Sequence, residues 1–170
     1  PMPVRPPPTR HEPMFDGRTA SAWHLEHDPT SLAALDIVPT VAGAELRLRY
    51  ALGGGEVSGQ FVGLVFDTRS RAVPNGGLTF TARAERPMRL SVQVRTGTDG
   101  GGERWQRSVY VDAVNQERTV YFDDLTPLTA PQIERPSFSD IRSILFVIDT
   151  TNTPPGASGR LWITSAALQR

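Results

Sequence analysis

The sequence predicts an all-β protein: an antiparallel β-sandwich of the jelly-roll type with about eight strands. Three observations lead there. Short runs alternate apolar and polar side chains with period two, the pattern of a strand with one buried face. Turn-forming clusters separate the runs: "GGGE", "PNGG", "GTDGGGE", "NQE" and "TPPGAS". Strands never alternate with helical patterns and no internal repeat is present, so a parallel sheet or a solenoid is set aside.

Along the chain, residues 1–13, "PMPVRPPPTRHEP", form a proline-rich arm suited to extended polyproline conformation. The single β-sandwich domain is expected over 14–170. Asp28-Pro29 ahead of "TSLAALD" combines an N-cap residue with proline at the first helical position, which predicts one short helix near residues 29–35. After Gly43 the period is two throughout. "ELRLRY" sets Leu46, Leu48 and Tyr50 against Arg47 and Arg49. "LTFTARAE" sets Leu78, Phe80 and Ala82 inward, with Thr79, Thr81 and Arg83 outward. "RLSVQVRT" sets Leu90, Val92 and Val94 inward, with Ser91, Gln93 and Arg95 outward. "SVYVDA" sets Val109 and Val111 inward, with Tyr110 and Asp112 outward. "QFVGLVFD", "RSILFVID" and "RLWITSAAL" are apolar on both faces, as central or covered strands are. Arg86-Pro87 between two strands suggests a tight reversal.

Composition narrows the function classes. The 18 basic residues, all arginine, balance 18 acidic ones, which argues against a nucleic-acid partner held by excess positive charge. The absence of cysteine rules out disulfides and thiolate metal sites, and permits an extracytoplasmic (periplasmic or secreted) location. No apolar run is long enough to span a membrane. The chain begins with Pro1 rather than Met, the mark of a processed or excised product.

Catalytic signatures are missing. No GxSxG elbow singles out a serine. His24 and His27 in "WHLEHD" lack the order of a zinc helix and read as solvated loop histidines beside His11. Asp123 and Asp124 are adjacent, so on a strand they point to opposite faces and make no glycosidase pair. They read as a turn device before Pro127. The runs Gly53–Gly55 and Gly100–Gly102 lack the following Lys and Ser/Thr of a phosphate loop and read as hairpin ends. No catalytic residue, cofactor or metal site is expected.

Four segments together carry a family resemblance: Met14 to Trp23, Phe122 to Pro127, Phe138 to Ile148 and Gly159 to Leu168. The pattern resembles the galactose-binding-like jelly rolls. That group includes certain carbohydrate-binding modules and the domain of the complex I intermediate-associated (assembly) protein. The resemblance spans roughly residues 14–168. Modules of this kind often hold a structural calcium, partly through an Asp of the final strand. Here Thr164 and Ser165 stand in that strand, so no calcium is expected. Asp16, Glu26 and Asp28 then read as surface or capping carboxylates.

If the strands pair as the resemblance implies, Arg83, Gln93, Arg95, Tyr110, Asp112, Tyr121 and Trp162 share one sheet surface, with Trp105 at its rim. Such a face suits sugars, which stack on aromatic planes and are forked by Arg, Gln and Asp. It equally suits a protein partner. Two functions follow. The main expectation is a non-catalytic accessory or structural subunit docking on a larger extracytoplasmic membrane complex, photosynthetic or respiratory, with the arm on a neighbouring protein subunit. The alternative is a carbohydrate-binding module of a polysaccharide-active enzyme, with the arm as linker and polysaccharide as partner. A stand-alone hydrolase stands behind both.

Overall fold

The computed structural model describes residues 2, 4, 11–55, 58–68, 76–97, 104–128 and 141–169. The turns at 74–75 and 100–102, the stretch 138–140 and most of the arm lie outside them.

Two six-stranded antiparallel sheets face each other. Sheet I contains β3 (Leu32–Thr40), β4 (Gly43–Ala51), β12 (Ser158–Gln169), β6 (Gly77–Ala84) and β9 (Gln116–Tyr121), in that order. The short β1 (His11–Pro13) pairs with the other end of β12. Sheet II runs β10 (Thr126–Pro127), β8 (Arg104–Val111), β7 (Met88–Thr96), β11 (Ile141–Asp149), β5 (Phe61–Asp67) and β2 (Trp23–His27). This is the expected sandwich. The three doubly apolar runs do become interior strands: β5, β11 and β12 each have a neighbour on both sides. Among the described residues no helix is long and apolar enough to cross a membrane.

The inner faces match the predicted alternation. Leu46, Leu48, Leu78, Phe80 and Ile163 of sheet I meet Leu90, Val92, Val94, Phe146 and Phe66 of sheet II, all essentially buried. Aromatic rings fill the core, and one pair, Phe80 with Phe146, ties the two layers together. Phe80 of β6 meets Phe146 of β11 edge-on at 5.0 Å, and Trp23 lies 5.1 Å from Phe66 and 6.1 Å from Phe146. Such pairs add about 0.5–1.5 kcal/mol each beyond the area they bury. Trp23 donates its indole N–H to the Met14 carbonyl at 3.0 Å, so the one polar atom of this ring is satisfied in the core.

The expected helix at 29–35 is absent. Leu32–Thr40 is strand β3, paired with β4 along its whole length from Leu32 opposite Ala51 to Thr40 opposite Gly43. The capping signal was real but served a turn. Asp28 accepts from the amides of Thr30 and Phe61 and from the hydroxyls of Thr30 and Ser31. Two turns of isolated helix are marginal, whereas the nine-residue ladder satisfies every second backbone group against β4. Pro39 fits because β3 is an edge strand, where a missing N–H is tolerated.

Most turns lead from one sheet to the other. The connection through Gly53–Gly55 passes from β4 to β5, Arg86-Pro87 passes from β6 to β7, and Asn115 lies between β8 and β9. The predicted hairpin end at Gly53–Gly55 is therefore a sheet crossing, whereas Gly100–Gly102 lies outside the described residues, between β7 and β8, which pair antiparallel in one sheet. Asp123 and Asp124 sit on a single 3-10 turn, Phe122–Asp124, rather than on a strand. His24 and His27 lie on β2, not in a loop.

Candidate ligand-binding face

The register places six of the eight predicted residues on two opposite surfaces and the other two on neither. Arg83, Tyr121 and Trp162 lie on the outer face of sheet I. Gln93, Arg95 and Tyr110 lie on the outer face of sheet II. Asp112 is a turn residue just beyond β8, its carboxylate accepting from the Ala113 amide and its carbonyl from Ala84. Trp105 is not at a rim. It pairs with Val94, shares its inward parity, and is 3% exposed in the core. The single shared surface therefore does not form, because outward residues of two different sheets follow the same alternation.

On sheet I, ion pairs fill the outer face. Glu45 is buried and grips Arg83 through both oxygens, at 2.7 and 2.8 Å. The Arg83 hydrogen bonds hold the Glu45 carboxyl below its usual range against the opposing effect of burial. Arg83 in turn lies 4.6 Å over the Trp162 ring, with Arg160 at 5.7 Å. Arg47 and Arg49 both bind Asp36, and Arg160 binds Glu85. The Trp162 ring is thus already used by this chain's own cations.

Sheet II differs. Its outer face has an apolar strip on β5 and β11, made by Val65, Leu145 and Val147 with Phe61 beside them. Next to the strip, β7 and β8 carry a polar ladder. Gln93 donates to Ser91 (3.1 Å), Ser91 donates to Gln106 (3.0 Å), and Arg89 donates to Ser108 (2.9 Å). Tyr110, opposite Arg89, ends the face and is 42% exposed. Gln93 is 4% exposed, yet its carbonyl oxygen has no hydrogen-bond partner. A buried acceptor left unpaired costs about 1–3 kcal/mol of stability.

One ion pair spans the face. Arg95 of β7 forks Glu26 of β2 at 2.7 and 3.2 Å. Hydrogen bonding from Arg95 is the main reason the Glu26 carboxyl sits below its usual range; desolvation opposes it. His24 adds a contact to Glu26 at 3.4 Å. The strands β11 and β5 lie between the partners. The register sets Glu26 level with Ser91, four residues along β7 from Arg95. On a flat sheet the two Cα atoms would stand about 19 Å apart, further than two outstretched side chains bridge. The sheet therefore twists and curls towards this outer face.

Glu26 thus does more than the surface role expected of it. Asp16 is a turn cap, accepting from the Arg18 and Thr19 amides. Among the described residues no three His, Asp or Glu side chains gather as metal ligands. The sequence reading passed over Gln106, Arg104, Arg89 and Glu26. The signal for the β8 residues was present: counting back by twos from outward Tyr110 gives Ser108, Gln106 and Arg104, and from inward Val109 gives Arg107 and Trp105. Nothing local marks Glu26.

No protein-family model and no curated protein matches the sequence. Solved structures do match in fold. A family 11 carbohydrate-binding module from Clostridium thermocellum, in complex with a β-1,3-1,4-mixed-linked tetrasaccharide, superposes with a TM-score of 0.70 over 93% of this chain and 94% of that one, at 14% identity. This chain has the jelly-roll fold of the carbohydrate-binding modules. The family 11 module of the cellulosomal cellulase Lic26A-Cel5E from that organism gives 0.71 at 13% identity, covering 95% of each chain. The family 30 module of its cellulosomal cellulase Cel9D-Cel44B gives 0.65 at 12% identity, over 93% of this chain and 96% of that one. The likeness runs nearly end to end in each case. The expected membrane-complex subunit finds no counterpart among these structures. The described end of the arm, β1, pairs with the protein's own β12.

Proposed function

We propose that this chain is a non-catalytic carbohydrate-binding domain that seats a polysaccharide on the outer face of sheet II. The observation that carries the reading is the pairing of an apolar strip with a polar ladder on one curled sheet face. A sugar ring has the same duality. Its C–H face suits the accessible Phe61 and Tyr110 beside the buried strip of Val65, Leu145 and Val147, and its hydroxyls suit Gln106, Ser108 and Arg89 above the buried Ser91 and Gln93. The end-to-end likeness to carbohydrate-binding modules supports the same reading. Polysaccharides of this kind are met outside the cytoplasm, which agrees with a cysteine-free extracytoplasmic chain. Tyr110 closes one end of the site and Arg95 the other.

Affinity electrophoresis in gels containing β-1,3-1,4-mixed-linked glucan, xylan or a uronic-acid polysaccharide tests the proposal. Retardation in at least one gel is expected, relieved by Gln106→Ala. Unretarded migration in all of them contradicts the reading.

A further inference from the structure

We propose that the end of this face formed by Arg95, Arg104 and Arg142 binds an anionic group carried by the polysaccharide, a uronate carboxylate or a sulfate ester. The inference rests on the reading of the face as a glycan site and names the class of glycan.

Arg95 and Arg104 are directly opposed on β7 and β8. Like charges facing each other across a ladder destabilise a sheet. Arg142 adds a third guanidinium at the bulge of β11, where the register shifts between Ile141 and Ser143 against β7. Bulges re-aim side chains and are frequent beside binding sites. Desolvation, followed by the field of Arg95 and then of Arg142, brings Arg104 below the ordinary arginine value, with Glu26 acting the other way. Among the described residues two carboxylates share this face near Arg104 and Arg142. Glu26 is already forked by Arg95, and Asp67, in the same row on β5, is itself engaged. Among the described residues neither Arg104 nor Arg142 has a side-chain hydrogen bond or ion pair.

On the opposite sheet arginines are paired with carboxylates: Arg47 and Arg49 with Asp36, Arg83 with Glu45, Arg160 with Glu85. Among the described residues, this end of the glycan face brings three guanidiniums, Arg95, Arg104 and Arg142, around one carboxylate, Glu26. One buried donor there points the same way: the Arg95 Nε has no partner. Planar guanidinium forks match carboxylate and sulfate oxygens bidentately. An anionic substituent would relieve the repulsion while the sugar ring to which it is attached occupies the ladder.

The test is calorimetry of the whole chain with a neutral mixed-linked glucan, a polyuronate and a sulfated galactan. Tighter binding of one acidic polymer than of the neutral one is expected, and which acid prevails separates carboxylate from sulfate. Arg104→Ala and Arg142→Ala should each weaken acidic binding by about tenfold, the worth of one charge-assisted hydrogen bond, and leave neutral binding unchanged. Arg49→Ala removes the same charge from the opposite sheet and should change neither. Equal binding of neutral and acidic glycans, or an Arg49→Ala loss as large as the others, overturns the inference and leaves the glycan face standing. Failure of every glycan to bind overturns both.

Discussion

Arg95 on β7 and Glu26 on β2 form a bidentate ion pair across the two strands that separate them. The pair closes because the outer face of sheet II is curled, and it stands at one wall of the proposed site. Arg95 is 11% exposed in its side chain and Glu26 32%. Removing one partner leaves the other charge desolvated without compensation.

Glu26→Ala should therefore destabilise the fold by about 1–3 kcal/mol, below the roughly 3–5 kcal/mol of a pair buried on both sides. Adding Arg95→Met should recover part of that loss. Urea unfolding of the two single variants and the double variant checks this, and strictly additive losses would show that the pair is not coupled.

Acid should weaken the fold in a defined window. Asp28 is pulled below its usual range: desolvation opposes its charge, and hydrogen bonds from Ser31, Thr30 and the Phe61 amide outweigh that opposition. Glu26 and Glu45 are lowered by their arginines. A carboxylate lowered on folding contributes stability above its unfolded value and loses it as the pH falls through the folded one. The ordinary values are 3.8 for Asp and 4.5 for Glu. Stability from these three groups should hold above pH 4.5 and decline progressively below it. Asp28→Asn should show a shallower decline in urea midpoint between about pH 4.5 and 2; an unchanged slope would remove Asp28 from the account.

The two tryptophans that the sequence set side by side should behave differently. Trp105→Ala empties a core position between the sheets and should cost about 3–5 kcal/mol. Trp162→Ala loses a half-exposed ring and its contact with Arg83, worth about 0.5–1 kcal/mol at such a site, plus modest burial. Guanidinium midpoints for both variants give the comparison. Equal losses would contradict the placement of Trp105.

Period-two alternation made the sandwich legible, because each strand has one face on a common core. Leu78, Phe80, Leu90, Val92 and Val94 all point where their parity says. Parity tells core from solvent but not which sheet a strand joins. Arg83 and Arg95 look alike in sequence, both outward arginines on neighbouring runs, yet the chain crosses between the sheets at Arg86-Pro87 and sends them to opposite surfaces. The helix at 29–35 failed for a related reason. Asp28-Pro29 is a local signal, and the β3–β4 ladder that overrides it lies further along the chain. Glu26 was illegible as a site residue because its partner is Arg95, whose approach depends on the curl of a whole sheet.

The central claim is that glycans bind on the outer face of sheet II. Its most direct measurement is a nuclear magnetic resonance titration of the labelled chain with oligosaccharides, neutral and acidic in parallel. The side-chain amide of Gln106 and the backbone amide of Ser108 should shift first and furthest, with Arg83 and Trp162 unmoved. Shifts centred on Arg83 and Trp162, or none at saturating sugar, would contradict it.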